Sequence, residues 1–206
     1  MPKTHVTIPF FIPHSGCRHR CVFCNQIYTS NTRFLPNEEY IVEKIEQYLQ
    51  TIKPGVNHIE VAFFGGSFTG LDEAIQQQYL AIAYTYLSLH KIDGIRLSTR
   101  PDYINHKTLT LLREYGVTTV ELGAQSMHDD VLQQAQRGHT VHDILNASKL
   151  IKEYGFNLII QLMPGLPCDS FEKSIETARK TVLLYPDGVR IYPTVVIKDT
   201  QLETLY

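Results

Sequence analysis

Short apolar runs alternate with longer stretches in which apolar and polar residues interleave at helical spacing, and this rhythm repeats along the chain. Such a pattern predicts parallel strands joined by crossover helices. The strands are expected at Val6–Ile12, His58–Phe64, Gly94–Ser98, Thr118–Leu122, Leu158–Met163 and Gly188–Ile197. Between them, helices are expected near Asn37–Ile52, Leu71–Lys91, His106–Tyr115, Val141–Tyr154 and Phe171–Leu184. Pro36-Asn37-Glu38-Glu39 reads as a capped helix start, with its carboxylates at the positive end of the helix dipole. Tyr115-Gly116 and Tyr154-Gly155 each close a helix on glycine and lead into a strand, an internal echo of a repeated βα unit. Pro9 and Pro13 suit a strand only at a sheet edge, where a missing N–H costs no ladder bond. Six βα-type units opening on a proline-bearing strand predict an α/β fold, an open and incomplete barrel.

Composition narrows this picture. With 206 residues and 43% apolar content, the chain can bury one sizeable core, so residues 1–206 are expected to form a single domain. A net charge of −2 argues against a strong electrostatic hold on nucleic acid by this segment alone. Locally the balance differs: Lys3, Arg18, His19, Arg20 and Arg33 precede the first acidic residue, Glu38. That collar is either an attractor for an anionic substrate or a solvated loop. The run Ile8–Pro13 is too short to span a bilayer and holds two prolines, and no signal peptide is apparent. A cytoplasmic, reducing setting without membrane attachment is expected. The last residues, through Tyr206, show no turn, charged tail or cap, and we expect a domain truncated at its C-terminal side.

The densest chemistry is Cys17-Arg-His-Arg-Cys21-Val-Phe23-Cys24, a C-x3-C-x2-C loop with an aromatic residue before the last thiol. Three soft sulfur ligands on one loop suit three irons of a cubane cluster and leave the fourth iron open. A disulfide fits poorly, because three close cysteines cannot all pair. Zinc is the rival, with Cys17, Cys21, Cys24 and either His14 or His19 as a Cys3His set. Cys168 stands far off and reads as incidental.

The cysteine spacing and its aromatic residue resemble the radical S-adenosylmethionine (SAM) superfamily. The resemblance implies a partial (β/α)6 barrel of the TIM type, a [4Fe-4S] cluster on Cys17, Cys21 and Cys24, and SAM bound at the open iron. An electron then cleaves SAM to methionine and a 5′-deoxyadenosyl radical. A reductant such as flavodoxin or ferredoxin is implied as partner. Ligands of parallel barrels collect where strands end, and the resemblance assigns roles there. Gly65-Gly66-Ser67 would hold the SAM amino group, with Ser67 where glutamate is common. Ser98 would be a weak ribose partner in place of an acidic residue, and Gln125 a second ribose contact. Arg137 would pair with the methionine carboxylate, and Gln161 opens the stretch that packs against adenine, with Glu172 beyond. Phe23 is the aromatic of the cluster motif. Arg100 and Asp102 read as a structural ion pair, His139 as a cap or loop histidine, and Tyr192 as a packing residue.

Thr99-Arg-Pro-Asp102, Glu121-Leu-Gly-Ala-Gln-Ser126, Arg137-Gly-His-Thr-Val141 and Ile191-Tyr-Pro-Thr-Val-Val-Ile197 resemble the radical SAM domain of the Elongator catalytic subunit family. That family modifies wobble uridines of transfer RNA. The resemblance therefore implies a bacterial-type, stand-alone relative without an acetyltransferase domain, acting on RNA such as tRNA or on another bulky substrate. Two alternatives stay open. Gly165-Leu-Pro167 and Gly123-Ala-Gln125 resemble the coproporphyrinogen-oxidase branch. A non-enzymatic, metal-stabilised RNA-binding module would use Arg18, Arg20 and Arg33 as its surface.

Overall fold

The computed structural model describes residues 4–13, 16–31 and 34–205. Six strands form one sheet in sequence order: β1 (His5–Ile12), β2 (His58–Gly65), β3 (Gly94–Thr99), β4 (Thr119–Gln125), β5 (Asn157–Leu162) and β6 (Gly188–Ile191). Every neighbouring pair is parallel. The helices are α1 (Gln26–Ser30), α2 (Glu38–Thr51), α3 (Glu73–Ser88), α4 (His106–Glu114), α5 (Asp129–Gln134), α6 (Val141–Glu153), α7 (Phe171–Val182) and α8 (Gln201–Leu205). No helix among the described residues is long and apolar enough to cross a membrane. Asn37 caps α2 through Tyr40 N, as its position before two glutamates suggests. Thr140 and Asp143 form a reciprocal capping box on α6. Gly116 and Gly155 take positive φ after α4 and α6, so both helices end where the sequence places glycine.

One face of the sheet packs under the helices. Ile8, Phe10 and Ile12 of β1 join Val61 and Phe63 of β2, Ile95 and Leu97 of β3, and Ile41 and Ile45 of α2 in one buried core. The strands alternate in side-chain direction, so the intervening residues point to the concave face. There, beside apolar residues such as Phe64, lies a connected set of polar and charged side chains. Glu121 of β4 is wholly buried, and Arg190 Nη1 of β6 donates to both its oxygens at 2.9 and 3.0 Å. Ser98 of β3 and Gln161 of β5 donate to Oε2, and Arg96 Nε lies 2.8 Å from Oε1 as an ion pair. Arg96 also donates to Glu60 of β2, which accepts from Thr7 of β1. A polar belt therefore links all six strands.

The sheet is strongly curved. In a flat sheet, side chains of β2 and β6 would be roughly 19 Å apart, four strand spacings. Here the Arg190 guanidinium sits 5.5 Å from the Phe64 ring centroid. This is the expected partial barrel, with β1 and its Pro9 at one edge.

Several boundaries differ from expectation. β6 stops at Ile191 instead of Ile197: Tyr192 N and Thr194 N still bond Leu162 O and Pro164 O, but Pro164 has no N–H to return the bond. β4 runs on to Gln125 instead of Leu122, through a register shift against β5. The short helices α1, α5 and α8 were not expected. Lys3, His14, Arg33 and Tyr206 lie outside the described residues.

Removing the charge of Glu121 leaves Arg190 without its carboxylate and Arg96 with Glu60 alone, around a wholly buried side chain. Glu121→Gln is expected to destabilise the fold by about 3–5 kcal/mol, read as a lowered denaturant midpoint. An unchanged midpoint would show that the belt is not holding the sheet.

Candidate functional site

The cysteine loop leaves the C-terminal end of β1 and crosses directly over the loop that follows β2. The crossing is a backbone-to-backbone contact. A Cβ on Gly16 would lie 2.0 Å from Ser67 O, and one on Gly70 would lie 2.1 Å from Gly16 O. Only glycine fits at either position. Gly65 is similarly constrained, with φ +104 and a Cβ position 2.8 Å from Ile12 O.

From the other side the loop rests on a small separate core. Val22 packs with Val131 and Ala135 beside α5, Leu166, and Leu202 of α8, with Phe23 and Met163 at its margin. Val22 N donates to Ala135 O, and Leu202 N donates to Val22 O. Two of the three unexpected helices, α5 and α8, thus form part of the loop's support.

All three thiols are free and half-buried, and each has a donor beside it. Cys21 Sγ accepts from Arg137 Nη1 at 3.1 Å. A backbone hydrogen bond from Ser67 reaches Cys17, and a side-chain hydrogen bond from Gln26 reaches Cys24. Burial pushes the Cys17 thiol up, with Cys21 adding to the effect. Burial, together with Cys21 and Cys17, pushes Cys24 up to about 11. Cys17 and Cys24 therefore hold their protons at neutral pH until a cationic metal centre displaces them.

The sulfurs open onto a cavity of about 120 Å³. Its walls contain Cys17, Cys21, Phe23, Cys24, Gly65, Gly66, Ser98, Gln125, Arg137 and Gln161, so ten of the residues singled out in the sequence meet in one place. Ser67 is buried but does not line the cavity. Its hydroxyl pairs with Thr99 Oγ1 at 2.9 Å and accepts from Arg100 N, tying the β2 exit to the β3 exit. Ser98 lines the wall while donating to Glu121. Arg137 is also bound to Gly123 O at 2.7 Å, and its guanidinium lies 6.0 Å from the Phe23 ring.

Four further lining residues were not assigned to the site from sequence: Gln26, Thr99, Arg100 and Gly123. Arg100 does form the expected bidentate pair with Asp102, at 2.9 and 3.1 Å. Its Nη1, however, is buried with no hydrogen-bond partner among the described residues. Gln125 Oε1 and Arg137 Nε are in the same condition. Three unsatisfied polar atoms on residues lining one cavity mark a place that a polar ligand would complete. Three soft thiols beside them fit an iron–sulfur centre by donor chemistry. His19 lies against Gly138, where a Cβ would come within 2.5 Å of its ring. Cys168 is exposed, Glu172 sits in the first turn of α7, and Tyr192 packs under the Arg190 guanidinium. A second cavity of about 530 Å³, between β5, β6 and α7, shares Gln125 with the first.

Residues 11–179 match the profile of the Radical SAM superfamily. The chain belongs to that superfamily. It is 33% identical over 183 residues to human "Elongator complex protein 3", covering 79% of this chain and 33% of the relative. It is 26% identical over 220 residues to the "tRNA uridine(34) acetyltransferase" of Dehalococcoides mccartyi, covering 91% of this chain and 48% of that protein. Among solved structures, the archaeal Methanocaldococcus infernus Elp3 with an N-terminal deletion superposes with a TM-score of 0.77 at 24% identity. That match covers 100% of this chain and 49% of the archaeal one. The chain thus spans between a third and a half of the length of these relatives.

His139 lies in the loop between α5 and α6, as expected of a loop histidine. It is buried, with Nε2 3.3 Å from Ala124 O. Burial, then Arg137 and Arg100, lower its pKa from 6.5 to about 3. The folded state therefore keeps it neutral while the unfolded chain takes up a proton below pH 6.5, so stability falls on acidification through that window. At pH 5 the loss is expected to be about 2 kcal/mol. His139→Gln should flatten this part of the stability–pH curve; an unaltered slope would place the proton uptake elsewhere.

Proposed function

We propose that this domain is a radical SAM enzyme in which Cys17, Cys21 and Cys24 hold a [4Fe-4S] cluster and the adjoining cavity takes SAM. One observation carries the reading: the three thiols, the glycine pair Gly65-Gly66, and Arg100, Gln125 and Arg137, each of which carries an unsatisfied polar atom, all line the same cavity. When bound together, cluster and SAM supply a 5′-deoxyadenosyl radical after one-electron reduction by a partner such as flavodoxin or ferredoxin.

The chain's own residues prepare that chemistry. Donors from Ser67, Arg137 and Gln26 meet the three sulfurs and stabilise them as thiolates once iron is present. Gly65 and Gly66 bring main chain to the cavity without side chains in the way. By family resemblance, Gly65, Gly66 and Ser67 serve the amino group of SAM, Ser98 and Gln125 the ribose, Arg137 the carboxylate, and Gln161 the adenine region. Burial of Ser67 leaves its backbone as the contributing part. Arg100 is added here as a second cationic group at the cavity.

For the substrate we propose a uridine of transfer RNA. Support comes from the similarity to the tRNA uridine(34) acetyltransferase and from exposed Arg18, His19 and Arg20 beside the cavity. Such a collar suits phosphate contact.

Anaerobic reconstitution is expected to give a brown protein that releases 5′-deoxyadenosine from SAM under dithionite, with the release lost in Cys21→Ala. Transfer RNA binding is expected to weaken steeply with salt. A colourless, zinc-loaded protein without 5′-deoxyadenosine release overturns the enzymatic reading, and binding of porphyrin in preference to tRNA overturns the substrate. Arg137→Met removes a donor to Cys21 and should make the cluster potential more negative in an EPR-monitored titration. An identical potential would confine Arg137 to packing or ligand contact.

A further inference from the structure

The strands β1 and β2 both begin on histidine. His5 and His58 are register partners, with ring centroids 4.5 Å apart. Glu60, two residues along β2, points to the same side of the sheet and is buried. Its Oε1 lies 3.0 Å from His5 Nε2, and its Oε2 lies 3.9 Å from His58 Nε2. One donor atom from each of the three falls within 4.8 Å of the others. The histidines sit at the entry end of their strands, roughly 23 Å of strand away from the cysteine loop. Nothing in the chemistry proposed for the cavity uses them.

We propose that His5, His58 and Glu60 form a second metal site, for a divalent first-row ion of the zinc type. Two imidazoles and a carboxylate are a donor set that zinc accepts, with water at a fourth position. The histidine side chains are 48% and 38% exposed, so such a water has access. Glu60 is already oriented: Thr7 Oγ1 donates to Oε1 at 2.9 Å and Arg96 Nη1 at 2.8 Å, which leaves Oε2 turned toward His58. Partners of this kind behind a ligating carboxylate fix its direction. The parallel register fixes the two histidine backbones side by side before any ion arrives. An ion there would clasp the edge strand β1 to its neighbour.

The test uses anaerobic, cluster-loaded protein, in which iron occupies the cysteines, titrated calorimetrically with zinc chloride. One zinc per chain is expected beyond the iron, with affinity reduced at least tenfold in His5→Ala and in His58→Ala. Iron content and 5′-deoxyadenosine release should stay at wild-type levels in both variants, which separates this site from the cavity. His58→Asn retains polarity and bulk, and weaker zinc binding in that variant too ties the loss to the ligand and not to packing. The proposal is overturned if wild-type protein takes up no zinc, or if the histidine variants bind it as tightly as wild type.

Discussion

A carboxylate sealed from water has to be met by charge and hydrogen bonds from its surroundings, and Glu121 is sealed completely. Its partners come from β3, β5 and β6, so the ionised side chain can be satisfied only where those strands bend around it. Arg96 extends the arrangement to Glu60 on β2, and Thr7 to β1. The curvature that makes a partial barrel is therefore written in polar side chains on the concave face as much as in the apolar layer beneath the helices. That curvature also brings the strand exits together, which is what assembles a cavity from residues as distant in sequence as Gly65 and Gln161.

The cysteine loop adds the opposite requirement. Crowding three thiols into a half-buried place raises the proton affinity of Cys17 and Cys24, and a metal centre has to offset that cost. The protein contributes hydrogen-bond donors to the sulfurs and a small apolar core beneath Val22. Arg137 occupies a double position in this scheme. It touches Cys21 and Gly123 through its terminal nitrogens, and its Nε remains unsatisfied.

Much of this was legible in the sequence because local chemistry set it. Glycines after α4 and α6, the asparagine before α2 and the alternation within β1 to β3 placed those elements to within a few residues. The run from Ile191 to Ile197 reads as strand because β-branched residues dominate it, but the facing Pro164, which lacks an N–H, ends the ladder early. Helices of five or six residues, such as α1, α5 and α8, are too short for a periodicity to show. At the site, motif residues were readable because they sit at strand exits. Burial of His139 depends on packing from distant parts of the chain. The direction of Ser67, bound to Thr99, was equally invisible, since nothing local to either residue predicts the pairing.

The contact between Gly16 and Gly70 has a mechanical corollary. Two main chains that touch with no side chain between them have no rotamers to rearrange, so relative sliding requires the loops themselves to separate. The sulfur-bearing segment and the loop after β2 consequently meet at a spacing set by main chain alone. Substitutions elsewhere in the cavity wall can change what fits inside while leaving the spacing between those two walls as it is.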